Sequence, residues 1–213
     1  WGSGETEFFY QLDPTTILNY IDKLGLRTTG RCLPLNSLEN RVYEIEIENE
    51  EAKSPSERFV IAKFYRPGRW STDAINDEHD FLFDLDRAEI PVVMPIAFDD
   101  KETTLAELSG EAEGIHYALF PRVGGRAPEE FTPIQLAVLG RLLARIHNVG
   151  ESHIAEHRPT LDPDTYGLQN LAFLMDNDII PEAARETIFQ EFQRLDAAAS
   201  AAEGMGLGLA IVE

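Results

Sequence analysis

Arg58-Phe59-Val60-Ile61-Ala62-Lys63-Phe64-Tyr65 is the stretch on which the reading of this chain turns. Its β-branched and aromatic residues read as a strand, bounded by Ser54-Pro55-Ser56 upstream and Pro67-Gly68 downstream. Side chains alternate along a strand, so Phe59, Ile61, Lys63 and Tyr65 share one face. Lys63 therefore stands among apolar neighbours, where an ammonium is costly to bury without a partner. Two readings are open at this point. Either a carboxylate or a bound phosphate meets Lys63, or the lysine snorkels from an edge strand.

Working outward, the segment after this strand is helical. Ser71 can N-cap a helix from about Thr72 to Arg87, with Asp73 in its first turn. Ala74, Ile75, Phe81, Leu82 and Leu85 form its apolar stripe, and Glu78 falls inside that stripe. Asp77 and Asp80 read as its solvated face. Before the lysine strand, Thr28–Leu35 and Arg41–Ile47 read as two further strands, joined by Asn36-Ser37-Leu38-Glu39-Asn40. Three strands in succession argue an antiparallel meander. Ahead of them, Asp13-Pro14 opens a helix carrying Ile17, Ile21 and Leu24, with Gly25 at its end.

Beyond Ile90-Pro91, strand candidates are Pro95–Phe98, Thr103–Glu107 and Ile115–Phe120. Pro121-Arg122-Val123-Gly124-Gly125-Arg126 then breaks regular structure, and the remainder reads as helical. Thr132-Pro133-Ile134-Gln135 is a capping box that opens a helix ending near His147–Gly150. A loop at Pro159–Gly167, a short helix at Gln169–Met175 and a longer one from about Pro181 to Ala199 follow. The expected division is a strand-rich half at residues 1–120, a hinge at 121–126 and a helical part at 127–213.

Composition bounds the function. The 213 residues suffice for a hydrophobic core, and no apolar run is long enough to span a membrane. With 18 basic and 38 acidic residues the net charge is −20, which repels nucleic acid and anionic membranes. A few local cations can still hold a small anion. The single Cys32 leaves no internal disulfide framework and fits a reducing compartment. With no secretory signal visible, the expected location is the cytoplasm.

The order strand, loop, strand, lysine strand, glutamate helix, strands, hinge and helices resembles the protein-kinase-like fold, an α+β architecture. In that fold a glutamate on the helix after the lysine strand fixes the lysine against the nucleotide phosphates. The antiparallel sheet with its inserted helix would be the N-lobe, followed by the first helices of an α-helical C-lobe. More narrowly, Pro34–Tyr43, Lys63-Phe64-Tyr65-Arg66-Pro67 with Arg69-Trp70, Glu78-His79, Phe120-Pro121 with Val123–Arg126, and His157-Arg158-Pro159-Thr160 carry the resemblance. They are similar to the bacterial stress response kinase A group of the aminoglycoside/choline phosphotransferase superfamily. The resemblance implies an ATP-dependent kinase acting on serine or threonine of a protein substrate. Position by position, Lys63 would bind the α- and β-phosphates and Glu78 would orient it. Asn36, Ser37 and Asn40 would supply donors in a phosphate loop that contains no glycine. Ile61 would cover the adenine, and the backbone of Phe120 and Val123 would meet its edge.

The resemblance also implies residues that are not found here. None of His79, His116, His147, His153 and His157 is followed by Gly-Asp or Arg-Asp, the start of a catalytic loop. Asp84-Leu85-Asp86 resembles a metal signature but sits at a helix end and reads as solvated. The expected Mg²⁺ ligands and the catalytic aspartate would lie beyond Glu213, in a longer enzyme of which this is the N-terminal portion. The alternatives are a catalytically incomplete nucleotide-binding or scaffold fragment, and a small-molecule kinase acting on an aminoglycoside- or choline-like alcohol. His153 and His157 are spaced i, i+4, but Pro159 and the missing glutamate partner argue against a metalloprotease-like zinc site, and Cys32 lacks a paired base.

Overall fold

The computed structural model describes residue 9 and residues 12–98, 103–110, 113–125 and 128–179. Its elements are α1 (Pro14–Lys23), β1 (Thr28–Leu35), β2 (Arg41–Ile47), β3 (Phe59–Phe64), α2 (Thr72–Arg87), β4 (Ala106–Glu107), β5 (His116–Pro121), α3 (Pro133–Ser152) and α4 (Gln169–Asp176). A 3-10 turn, Pro55–Arg58, leads into β3. Packing divides the chain into two units, Trp1–Arg158 and Pro159–Glu213.

In the first unit the strands form one antiparallel sheet in the order β1-β2-β3-β5-β4. The register pairs Val42 with Lys63 and Lys63 with Ala118. Alternation then assigns the two faces. Tyr43, Ile45, Val60, Ala62, Phe64, Tyr117 and Leu119 join Phe9, Leu12, Ile17 and Ile21 in the main core. α1 thus closes one side of the sheet, and burying each of these side chains is worth roughly 1.5–3 kcal/mol. The opposite face carries Ile61, Lys63 and Ala118. There α2 packs through Ile75 against a smaller cluster of Tyr65, Leu105 and Ala118. The grouping of Lys63 with Tyr65 follows the strand period, as the sequence predicts.

Local signals explain the element ends. Asp13 accepts hydrogen bonds from the amides of Thr15 and Thr16, Ser71 from Ala74, and Thr132 with Gln135 forms a reciprocal capping box. α2 ends in a Schellman motif: Ile90 N–H donates to the Leu85 carbonyl across Glu89, which has φ 55°. Arg145 of α3 donates to the carbonyls of Ala88 and Glu89, placing a cation at the negative end of that helix.

Several expectations are corrected. Pro95–Phe98 is not a strand: Ile96 N–H reaches the Leu119 carbonyl and Phe98 N–H turns to the Thr103 carbonyl, so no ladder with β5 forms. Of Thr103–Glu107, only Ala106–Glu107 pairs as strand. α3 runs on to Ser152. Asp77 is not a solvated acid, since its side chain is only 14% exposed and is held by His157. In the second unit, Asp164–Leu168 is one π-helical turn continuing into α4, where a loop was expected. Asp162 caps that turn by accepting from Thr165 N–H, which lowers the Asp162 pKa. The helix expected from Pro181 and the apolar end Leu209–Val212 lie outside the described residues.

Candidate active site

Lys63 and Glu78 meet. Lys63 Nζ donates to Glu78 Oε1 at 2.8 Å, with side chains 22% and 32% exposed. β3 delivers the lysine to the open face of the sheet, and the second turn of α2 delivers the glutamate. The pair is partly sheltered from solvent and open enough to remain reachable. Tyr65, two residues on, lies under the ammonium, with Nζ 4.4 Å from its ring centroid.

Around the pair, Val42 pairs with Lys63 and Ile61 pairs with Phe120, so half-buried apolar side chains border the lysine on one sheet face. Leu35, opposite Val42 on β1, is partly exposed beside them. Arg122, directly after β5, donates from Nε to Glu44 Oε2 at 2.5 Å and lies over Phe59. That anchors the segment that leaves the sheet toward Val123, which is 65% exposed.

The β1–β2 loop is fixed from its far end. Asn40 Oδ1 accepts from Arg66 N–H at 3.2 Å, and Glu39 Oε1 accepts from Arg69 Nε and Trp70 Nε1, each at 3.1 Å. Asn36 and Ser37 are exposed. Of the three loop residues singled out from sequence, Asn36 and Ser37 are open to a ligand, whereas the Asn40 carbonyl oxygen is engaged within the fold.

Further contacts hold α2, and none of them is marked in the sequence. His79 is 1% exposed, with Nε2 2.9 Å from Tyr65 Oη and Nδ1 2.8 Å from Thr104 Oγ1. Burial lowers the His79 pKa and raises that of Tyr65, so the imidazole is neutral and bonded at both nitrogens. His153 Nδ1 pairs with Asp84 Oδ2 at 2.7 Å, and His157 donates its backbone N–H to Asp77 Oδ2 at 2.8 Å. Arg158 lies 3.7 Å from Glu78 Oε2. The hydrogen bond from His153 lowers the Asp84 pKa; that from His157 N–H lowers the Asp77 pKa, while Asp77 raises that of His157. His79 could have been suspected from its place four residues after Ile75, on the buried stripe. The other contacts join residues about 70 to 80 apart and leave no local pattern.

Residues 31–204 match the model of the phosphotransferase enzyme family. The chain belongs to that family. Among curated proteins, this family member is 36% identical over 193 residues to stress response kinase A of Shigella flexneri and to that of Escherichia coli strain K12, covering 91% of the chain and 55% of each relative. It is 37% identical over 177 residues to a serine/threonine protein kinase, RdoA, of Salmonella typhimurium, covering 83% of the chain and 50% of that relative. The chain spans about half the length of the curated relatives it matches. Among solved structures it resembles a microcompartment-associated aminopropanol kinase, with TM-score 0.53 and 21% identity over 71% of this chain and 46% of that one. It also resembles an amicoumacin kinase in complex with AMP-PNP, Ca²⁺ and its ligand, with TM-score 0.55 and 18% identity over 86% and 52%. The family member described here therefore has an α+β, protein-kinase-like fold.

Proposed function

We propose that this chain is the nucleotide-binding part of an ATP-dependent kinase that phosphorylates serine or threonine in a protein substrate. The observation that carries the proposal is the Lys63–Glu78 pair, held at 2.8 Å on the open sheet face beside apolar side chains. Lys63 supplies a fixed cation for the α- and β-phosphates, and Glu78 orients it. Ile61 and the neighbouring apolar residues offer a surface for adenine, and the Phe120–Val123 backbone offers its edge contacts. Asn36 and Ser37 supply phosphate-loop donors, and Asn40 shapes the loop. Residues 1–120 form the N-lobe, 121–126 the hinge and 127–213 the start of the C-lobe. The chain carries no helix long and apolar enough to cross a membrane among the described residues, and we assign the enzyme to the cytoplasm.

Among the described residues, no three His, Cys, Asp or Glu side chains stand together in a way that could hold a metal ion. The Mg²⁺ ligands and the catalytic base of the proposed reaction are assigned to residues outside the described part.

The protein acceptor is supported by the relatives at 36–37% identity, whose names include a serine/threonine protein kinase. The structural neighbours named for small-molecule kinases support a second reading, at lower identity. Incubating the complete protein with γ-labelled ATP separates the two. Label transferred to seryl or threonyl residues of protein is expected; label transferred only to aminoglycoside or amino-alcohol acceptors overturns the protein reading.

A further inference from the structure

Glu78 has two carboxylate oxygens, and each faces a different cation. Oε1 accepts from Lys63 at 2.8 Å, while Oε2 faces Arg158 at 3.7 Å. Arg158 is held in three further ways. Its guanidinium lies 4.1 Å from the centroid of the Trp70 ring, and Nη1 donates to the Ala74 carbonyl at 3.4 Å. Its neighbour His157 donates its backbone N–H to Asp77. Trp70 in turn donates to Glu39 of the β1–β2 loop. Side chains thus run in contact from Lys63 through Glu78, Arg158 and Trp70 to Glu39. They link β3, α2, the segment after α3 and the β1–β2 loop.

We propose that Arg158 is a positioning residue for Lys63, acting through Glu78; this rests on the phosphate-binding reading of Lys63. A carboxylate held by one ammonium can rotate about its terminal torsion, and the lysine follows it. A second cation on the other oxygen fixes the carboxylate plane, so Lys63 presents its remaining N–H donors in one direction. Arginine suits this task because its planar cation can lie over an indole while its charge faces a carboxylate. Lysine can meet the charge requirement but cannot stack flat. The same stacking ties the orientation of Glu78 to the loop that Glu39 anchors, so Arg158 couples the lysine to the β1–β2 loop.

The test uses the complete protein and compares ATP and adenosine affinity in wild type, Arg158→Gln, Arg158→Lys, Glu78→Gln and the Arg158→Gln/Glu78→Gln double variant. Arg158→Gln is expected to weaken ATP binding roughly two- to 150-fold, the range for residues coupled in one network, with adenosine binding unchanged. Arg158→Lys recovers part of that loss. In the Glu78→Gln background, Arg158→Gln adds no further loss. Equal losses for ATP and adenosine, full additivity with Glu78→Gln, or unchanged ATP affinity each overturns the assignment. Should Arg158→Gln not purify folded, Arg158→Lys decides: wild-type ATP affinity in Arg158→Lys, or a loss as large in the Glu78→Gln background as in the native one, overturns it. Lys63→Ala, measured in parallel, separates the two levels. If Lys63→Ala weakens ATP binding and Arg158→Gln does not, only the Arg158 role fails. If Lys63→Ala changes nothing, the phosphate reading fails and this inference with it.

Discussion

Tyr65→Phe isolates one hydroxyl in the buried contact that seats α2 on the sheet. The ring stays, so its contact with Lys63 and its packing against Ile75, Leu105 and Ala118 are retained. The bond to His79 Nε2 is lost, in a site where the imidazole is 1% exposed and water cannot replace it. Leaving one buried polar atom unpaired costs about 1–3 kcal/mol. Thr104→Val, nearly isosteric, removes the bond to Nδ1 and is expected to cost a similar amount. Tyr65→Phe combined with His79→Leu costs less than the two singles together, because the second change removes the orphaned atom. Urea unfolding followed by tryptophan fluorescence measures all four variants. A Tyr65→Phe loss below about 0.5 kcal/mol, the range of indifferent surface changes, refutes the reasoning. Acid provides a second check. Burial holds the folded His79 pKa below that of a free imidazole, so the unfolded chain binds the proton more readily. Stability linked to His79 is therefore complete above about pH 6.5 and falls as pH drops toward the lowered folded value. His79→Leu removes that component of the acid limb.

Three other outcomes are expected. Glu89 holds φ 55° at the end of α2, so Glu89→Gly relieves a left-handed residue and stabilises by roughly 0.5–1 kcal/mol in thermal or urea unfolding, net of the looser unfolded chain. A loss instead would mean that the Glu89 side chain contributes more than its backbone strain costs. Asp77 raises the His157 pKa above the free value, so the stability that His157 contributes is present below about pH 6.5 and lost as pH rises through the raised value; the difference between wild type and His157→Ala should shrink from pH 6 to pH 8, and a constant difference argues against the pair. Burial raises the Cys32 thiol pKa, so Cys32 should alkylate with iodoacetamide more slowly at pH 8 than a free thiol, with reaction at the free-thiol rate as the contrary result.

Much of this architecture was legible because its signals are local. Ser71, Thr132 with Gln135, and Asp13-Pro14 mark helix starts through bonds made within three residues. β1, β2 and α2 have the bounds read from sequence because turn residues and alternating or helical spacing agree there. Lys63 and Glu78 stood out by the same logic in reverse: each breaks an apolar pattern, and a charge placed against its pattern implies a partner. The partners of Asp77 and His79 across the fold, and the second cation beside Glu78, Arg158, were not legible. Asp77 sits at a helix position that tolerates solvent, and only the return of residues 153–158 to α2 covers it. The two bonds of His79 depend on Tyr65 and Thr104, which lie 14 and 25 residues away in sequence. At the edge of the sheet, Pro95–Phe98 has strand composition but makes one bond to β5 before Phe98 N–H turns to Thr103, a choice of partner that composition does not encode.

The claim on which the rest depends is that Lys63, held by Glu78, meets nucleotide phosphates. The most direct measurement is the affinity of the complete protein for ATP and for adenosine, in wild type and in Lys63→Ala. Replacing one cation that meets two phosphate groups by charge-assisted hydrogen bonds should weaken ATP binding by about 1.5–3 kcal/mol, roughly ten- to a hundred-fold, with adenosine affinity unchanged. ATP affinity unchanged in Lys63→Ala, in a variant that unfolds like wild type, would contradict the account.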